Sequence, residues 1–422
     1  MSLSFAGFIN GLAQAVLSAF QMGWWIILPA FLLVVFNDVW LLYIRLKYIK
    51  KINWVLLRVR TPRDLAKTPK AMEQVFAAIA GSYSFGIRFY DKYIKGRVEN
   101  WLSFELVGDP SGVYFLIRVN QDFRNLIESA IYAEYPEAEI EEVADYIDEL
   151  PAVLPNRKFT LFGIDFVLGR EDVYPIRTYP AFEEKEPEEK IDTVSIITEV
   201  MSRLKENERI WIQLLVRPTA PAWKEKAVTV VDDIMKRKKP KPVGFWGHIF
   251  YFFLDLIQAP WRLPQGPPQP EKTQPTSFAA LSKGEQEIIR AVEEKTSKIG
   301  FESLIRFVYI DEREKFTRAN IAAVSGAFQQ FNTLNLNRLM PDLRTITLIR
   351  GKLRAIFKER RTYYKQRRFF DRYRLRFFPR KFAIFNVEEL ATLYHFPTQA
   401  VAAPGVQPVE FKKGTPPSNL PL

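Results

Sequence analysis

The chain has no cysteine in its 422 residues. Neither a disulfide framework nor a thiolate metal site is available, and a reducing cytoplasm fits. Histidine is nearly absent as well: there are two, His248 and His395. Neither has a second histidine for a metal pair or a nearby Ser or Cys to activate, so each reads as a packed or interfacial imidazole. Charge is missing from one end. Residues 1–44 carry one charged side chain, Asp38, and the next seven residues carry four cations, Arg45, Lys47, Lys50 and Lys51. An uncharged apolar run that ends in a Lys/Arg cluster predicts a membrane anchor whose C-terminal flank stays in the cytoplasm.

A helix needs about 20 apolar residues to span about 30 Å of hydrocarbon, so the run is long enough to cross. Two registers compete. A span over residues 15–36 leaves Asp38 at the interface, with Trp40 and Tyr43 as an aromatic belt; a span over residues 24–44 puts Asp38 inside the membrane as a functional candidate. The first is favoured because it buries no charge. Residues 4–20 read as a second weak span or an interfacial helix. No basic n-region or small-residue cleavage pattern marks a removable signal.

The length suits about two domains beyond the anchor (residues 1–51). Residues 52–150 read strand (53–60), helix with Thr68 as N-cap and Met72, Val75, Phe76 and Ile79 on one face, then strands 101–107 and 113–119 flanking an Asp109-Pro110-Ser111-Gly112 turn. A helix through Phe123, Ile127 and Ile131 and a strand over 138–143 complete β-α-β-β-α-β, the ferredoxin-like order. Residues 151–340 predict a second such unit. Its expected elements are strands 159–168 and 174–179, a helix through Val194, Ile197, Met201 and Leu204, strand 209–217, a helix carrying Trp223, Ala227, Val230 and Ile234, a helix after a Ser282/Glu285 capping box, strand 301–310 and a helix through Ile321, Val324, Phe328 and Phe331. Residues 381–387 are expected to close it. The fold class is thus α+β, an N-terminal transmembrane helix followed by two ferredoxin-like (split βαβ) units, the second interrupted by residues 236–281.

That insert pairs a basic string (236–241) with an aromatic one (244–261) and a Pro/Gln-rich linker. It suits an interfacial helix beside a polybasic segment, with Trp246, Phe250, Phe253 and Trp261 in the headgroups, or more plainly an aromatic helix packed on the protein body.

Residues 344–381 hold 15 Lys or Arg against two acids, Glu359 and Asp371, so the rest of the chain is close to neutral. This basic arm, with the closing strand, occupies 341–387. Its candidate contacts are Arg360, Arg361, Arg367, Arg368, Arg372, Arg374 and Arg376, with Tyr363, Tyr364, Phe369 and Phe370 as stacking rings. The alternation Arg372-Tyr373-Arg374-Leu375-Arg376-Phe377 reads as a strand with its arginines on one face. Nucleic acid, anionic lipid headgroups and an acidic protein all fit such an arm, as does a merely solvated face. No base-reading motif accompanies it.

Catalytic motifs are missing. Gly351-Lys352-Leu353 and Lys413-Gly414-Thr415 do not make a phosphate-binding Walker loop, no Rossmann fingerprint is present, and no carboxylate pair stands out as an acid/base couple. The expectation is a non-enzyme with no cofactor and no metal. Residues 388–422 read as a short helix capped by Asn386, with Glu388 and Glu389 in its first turn and Leu390, Leu393 and Tyr394 as an apolar face, before a Pro-rich tail.

Three strings resemble, in order, a bacterial membrane domain associated with type IV secretion and conjugative DNA-transfer (coupling-type) ATPases. They are Pro62-Arg63 with Lys67-Thr68-Pro69-Lys70-Ala71-Met72-Glu73-Gln74-Val75-Phe76, then Glu189-Lys190-Ile191-Asp192 leading into Trp211-Ile212-Gln213-Leu214-Leu215-Val216-Arg217-Pro218, and Phe385-Asn386-Val387-Glu388-Glu389-Leu390-Ala391-Thr392-Leu393-Tyr394-His395-Phe396-Pro397. The resemblance implies a module of the bacterial inner membrane that precedes a hexameric motor. This sequence ends at Leu422, so the expectation is a non-catalytic scaffold, with its bulk in the cytoplasm, served by a motor ATPase in trans. DNA and a homo-oligomeric ring are further expected partners.

Overall fold

The computed structural model describes residues 5–62, 67–83, 86–183, 192–235, 281–348, 357–379 and 381–397. Elements follow in chain order as α1 (Phe5–Ile49), β1 (Trp54–Arg60), α2 (Pro69–Ile79), α3 (Phe89–Tyr93), β2 (Leu102–Asp109), β3 (Gly112–Asn120), α4 (Arg124–Glu134) and β4 (Glu139–Glu142). Then come β5 (Phe159–Leu168), α5 (Pro180–Glu183), α6 (Ser195–Ser202), β6 (Arg209–Pro218), α7 (Glu225–Met235), α8 (Lys283–Ser297), β7 (Gly300–Glu312) and α9 (Arg318–Ala327). The last four are β8 (Leu339–Pro341), α10 (Lys358–Arg374), β9 (Ala383–Asn386) and α11 (Val387–Leu393).

Two compact units form. One comprises Met1–Asn53 and Ser84–Asn100, the other Trp54–Tyr83 and Trp101–Leu422. In the first, α1 is a single helix of 45 residues with Pro29 inside it. The segment read as a second span is therefore not separate but the start of this helix. Trp24–Ile49, 26 residues of mean hydropathy 2.1, is long and apolar enough to cross a membrane. Its Trp25, Phe31, Leu33 and Phe36 are exposed, as they would be against lipid.

In the second unit one antiparallel sheet runs in the order β4-β1-β3-β2-β6-β7-β5-β8, and β9 pairs β7 beside this path. Alternation along each strand sends the apolar residues to two faces. Val55, Leu57, Phe104, Leu106, Phe115, Ile117, Ile212, Leu214, Phe307 and Tyr309 build the larger core with α2, α4, α6, α9 and α11. The helix faces read from periodicity are those buried there: Met72, Val75, Phe76 and Ile79 on α2, and Ile197 and Met201 on α6. Leu56, Val107, Leu116, Trp211, Val308 and Ile310 face the other way, under Phe369, Phe370 and Tyr373 of α10. The sheet does not break near residue 150, because β2 pairs β6 from Leu102↔Val216 to Gly108↔Ile210.

Three sequence expectations are corrected. Residues 174–179 form no strand, since their backbone donors are taken elsewhere: Ile176 N donates to Glu389 Oε1 (2.9 Å), Arg177 N to the Phe331 carbonyl (2.9 Å) and Tyr179 N to Thr392 Oγ1 (2.9 Å). The strand in 381–387 pairs β7 at Gly300–Ser303, and the outer edge at β5 is closed by the short β8. Residues 372–377 are not a strand; they end α10. The insert residues Trp246, Phe250, Phe253 and Trp261, His248, the acidic stretch 184–191 and residues 398–422 of the Pro-rich tail lie outside the described residues.

Candidate functional site

The basic arm folds as α10, a helix with two unlike faces. Gln366, Phe369, Phe370 and Tyr373 are buried at i, i+3, i+4 and i+7, one stripe of a 3.6-residue period. The Phe369 ring lies where a Cβ on Gly163 of β5 would stand, so a side chain there would push the helix off the sheet. Gln366 Nε2 reaches the Leu161 carbonyl, and Tyr373 stacks on Trp211 at 5.6 Å. These contacts remove Phe369 and Phe370 from the stacking candidates, because burying each ring on the sheet is worth about 1.5–3 kcal/mol.

The helix ends in a Schellman-type turn. Phe377 N donates to the Arg372 carbonyl (3.1 Å) and Arg376 N to the Tyr373 carbonyl (2.9 Å), with Arg376 at φ +44° where glycine is usual. A left-handed non-glycine residue costs about 1–2 kcal/mol. What holds Arg376 there is its guanidinium. Arg376 is 1% exposed, donates to Glu105 through Nε (2.9 Å) and Nη2 (3.0 Å), and forks onto Asp145 through Nη1 and Nη2. It is therefore withdrawn from the surface candidates.

Glu105 belongs to a polar row laid across four strands. Cross-strand pairing sets Glu105 beside Gln213, Gln213 beside Arg306 and Arg306 beside Asp165. Gln213 Nε2 donates to Glu105 Oε1 (3.0 Å), Arg306 Nη1 to Gln213 Oε1 (3.1 Å) and Arg306 Nε to Asp165 Oδ1 (2.9 Å). Arg306 Nη1 also reaches the Arg372 carbonyl of α10 (3.2 Å), and Tyr146 OH donates to Glu105 Oε2 (2.8 Å) while sharing a hydrogen bond with Tyr373 OH (2.8 Å). Burial pushes the Glu105 carboxyl up, but the Arg376 charge and the donors from Arg376, Ser103 and Tyr146 outweigh it and leave it below the usual range. Arg118 is pushed down to about 10 by burial and by the Arg376 charge.

The outward face of α10 carries the remaining candidates. Arg360, Arg361, Arg368 and Arg374 are exposed, and Arg367 and Arg372 are half-buried. Arg367 pairs with Asp371 (3.5 Å) and Arg374 approaches Asp148 (3.9 Å). Tyr364, 56% exposed, lies under the Arg360 guanidinium (5.8 Å), with Tyr363 edge-on beside it (5.8 Å). Partial burial and Arg368 lower the Arg372 pKa. Along this face cations and two accessible rings are offered together.

The segments carrying the resemblance meet inside the larger core. Helix α11 packs on α2 and is buried along its whole length. Asn386 and Glu389 cap it reciprocally, and Glu389 also pairs with Lys295 (3.0 Å), both side chains fully buried. Burial raises the Glu389 pKa against the Lys295 charge. His395 sits buried between the Ala391 carbonyl (2.8 Å) and Asp192 Oδ1 (3.1 Å), a packed imidazole as its isolation in the sequence predicts. The apolar face of this helix thus docks on the protein's own body. Among the described residues no cluster of three or more His, Asp or Glu side chains is placed to hold a metal ion.

Residues 46–408 match the family described as a domain of unknown function (DUF8128). The chain belongs to this DUF8128 family. No curated protein matches it by sequence.

The polar row is what sequence reading missed. Its signal is visible in hindsight: Glu105 in Phe104-Glu105-Leu106, Asp165 in Ile164-Asp165-Phe166, Gln213 in Ile212-Gln213-Leu214 and Arg306 in Ile305-Arg306-Phe307 are each a polar residue flanked by apolar ones in mid-strand. Signs that complement across neighbouring strands announce a buried network rather than four surface positions.

Proposed function

We propose that this DUF8128 protein is a non-catalytic, membrane-anchored scaffold of a type IV secretion-like or conjugative DNA-transfer machine. In this reading α1 holds the chain in the bacterial inner membrane with its bulk in the cytoplasm, a separate motor ATPase works beside it, and the outward face of α10 guides nucleic acid. The observation that carries the reading is that face. It carries Arg360, Arg361, Arg368 and Arg374 together with the exposed Tyr363 and Tyr364, on a helix fixed from below by Phe369, Phe370 and Arg376. Resemblance supplies the transfer machine and the motor. The strand order supports two ferredoxin-like units, β4-β1-β3-β2 and β8-β5-β7-β6, joined edge to edge through β2 and β6, with the insert between β6 and β7.

The test uses the full-length chain in zwitterionic nanodiscs, titrated with single-stranded DNA in competition with anionic vesicles. DNA is expected to win, and the Arg360→Gln, Arg361→Gln, Arg368→Gln, Arg374→Gln variant to lose binding. Preference for the vesicles would move the reading to a membrane-surface scaffold for anionic lipid or an acidic protein, unrelated to DNA. ATP hydrolysis by the chain alone would overturn the non-catalytic assignment.

A further inference from the structure

Residues 84–100 leave the sequence of the second unit and join α1 in the first. Two interactions seat them. Trp40 Nε1 donates to the Tyr93 carbonyl (2.9 Å), and Gly96, at φ +69° and buried, lies so close to α1 that a Cβ there would collide with the Ile44 carbonyl. The segment is thus fixed along Trp40–Ile44, about one helical turn of about 5.4 Å. This is the turn at which the apolar run gives way to Arg45, Lys47, Lys50 and Lys51.

What it presents there is unusual for a polar loop. Phe89 is 75% exposed, Tyr90 60% and Ile94 55%, and Tyr43 on the same stretch of α1 as Trp40 is exposed too. Phe89 stacks on Tyr93 at 4.5 Å, so the aromatic surface is built rather than frayed. Within residues 86–97 the cations Arg88, Lys92, Lys95 and Arg97 stand against one acid, Asp91, which Lys95 already pairs (2.9 Å). Apolar rings rimmed by cations, held at the end of a membrane-spanning helix, match the boundary between acyl chains and anionic headgroups. Water would leave those rings solvated at a cost, and no described element of the unit covers them.

We propose that residues 86–97 are an interfacial collar, in which Phe89, Tyr90 and Ile94 enter the headgroup layer of the bilayer that α1 crosses, while Arg88, Lys92 and Arg97 bind anionic lipid phosphates. The collar rests on the membrane-anchor reading of α1. It gives the anchor a second foothold and fixes which turn of α1 lies at the surface.

The absence of cysteine makes the test direct, because a single introduced thiol is labelled without background. Full-length variants Leu33→Cys, Phe89→Cys, Ile94→Cys and Leu334→Cys are reconstituted into phosphatidylglycerol-containing vesicles and labelled with an environment-sensitive fluorophore. Quenching is read from lipids spin-labelled near the headgroup, from lipids labelled deep in the acyl chain, and from aqueous iodide. The collar predicts headgroup-level quenching and loss of iodide access at positions 89 and 94, deep quenching at 33, and iodide access alone at 334. Deep quenching at 33 with free iodide access at 89 and 94 would overturn the collar and leave the anchor standing. Absence of lipid quenching at 33 would overturn the anchor and, with it, the collar.

Discussion

The two faces of the sheet in the second unit are covered by different means. The larger core meets α2, α4, α6, α9 and α11 through apolar strand side chains, and its buried ion pair, Lys295–Glu389, lies between α8 and α11 rather than on the sheet. The face under α10 sets Phe369, Phe370 and Tyr373 around a buried charged row of Glu105, Gln213, Arg306 and Asp165, closed by Arg376. An apolar face tolerates small shifts of its helices. Buried charges do not, since each must keep its partner or meet the full desolvation cost. Helix α10 is therefore located by electrostatics as well as by packing, which leaves its other face free to carry an excess of cations.

The largest effect expected from breaking this contrast is at Arg376. Arg376→Ala strands Glu105 in the core and is predicted to destabilise by about 3–5 kcal/mol. Denaturant unfolding followed by circular dichroism and tryptophan fluorescence measures it, since Trp211 stacks on Tyr373. The same pair sets a pH dependence. Glu105 has a folded pKa below its ordinary 4.5, so its contribution is complete above that value and is lost as pH falls through the folded pKa. The apparent midpoint of unfolding is therefore expected to fall below about pH 4.5, and Arg376→Ala to flatten that slope.

A smaller loss is expected from overpacking the same face. Gly163→Ala sets a Cβ into the Phe369 ring and is predicted to cost about 1–3 kcal/mol, read as a lowered denaturant midpoint. On the opposite face Asn386→Ala removes a buried cap and is predicted to cost about 0.5–2 kcal/mol. Replacing Arg361 alone with Gln should leave the midpoint where it is, since the side chain is exposed.

Much of the α+β framework was legible. Strand β5 follows from a short apolar run and helix α2 from a plain period-3.6 pattern, and the Ser282 and Asn386 capping boxes form as the residue types require. Elsewhere tertiary interactions overrode local pattern. The Arg372–Phe377 alternation straddles the last turn of a helix and a left-handed arginine, a conformation only the distant Glu105 and Asp145 make favourable. Residues 174–179 are bonded by side chains of α11 more than two hundred positions away, which no local pattern reports. Strand β8 has three residues, too few for a period to show. The division of the arm's arginines between core and surface was not legible, since it depends on the distant Glu105 and Asp145 that bury Arg376.

The most direct measurement is the salt dependence of single-stranded DNA binding by the full-length protein in nanodiscs, wild type against the Arg360, Arg361, Arg368 and Arg374 to Gln variant. The slope of log K on log salt is expected to shrink by about 0.7 for each phosphate that the variant no longer neutralises, with the unfolding midpoint unchanged. Equal slopes and equal affinities for the two proteins would contradict that expectation.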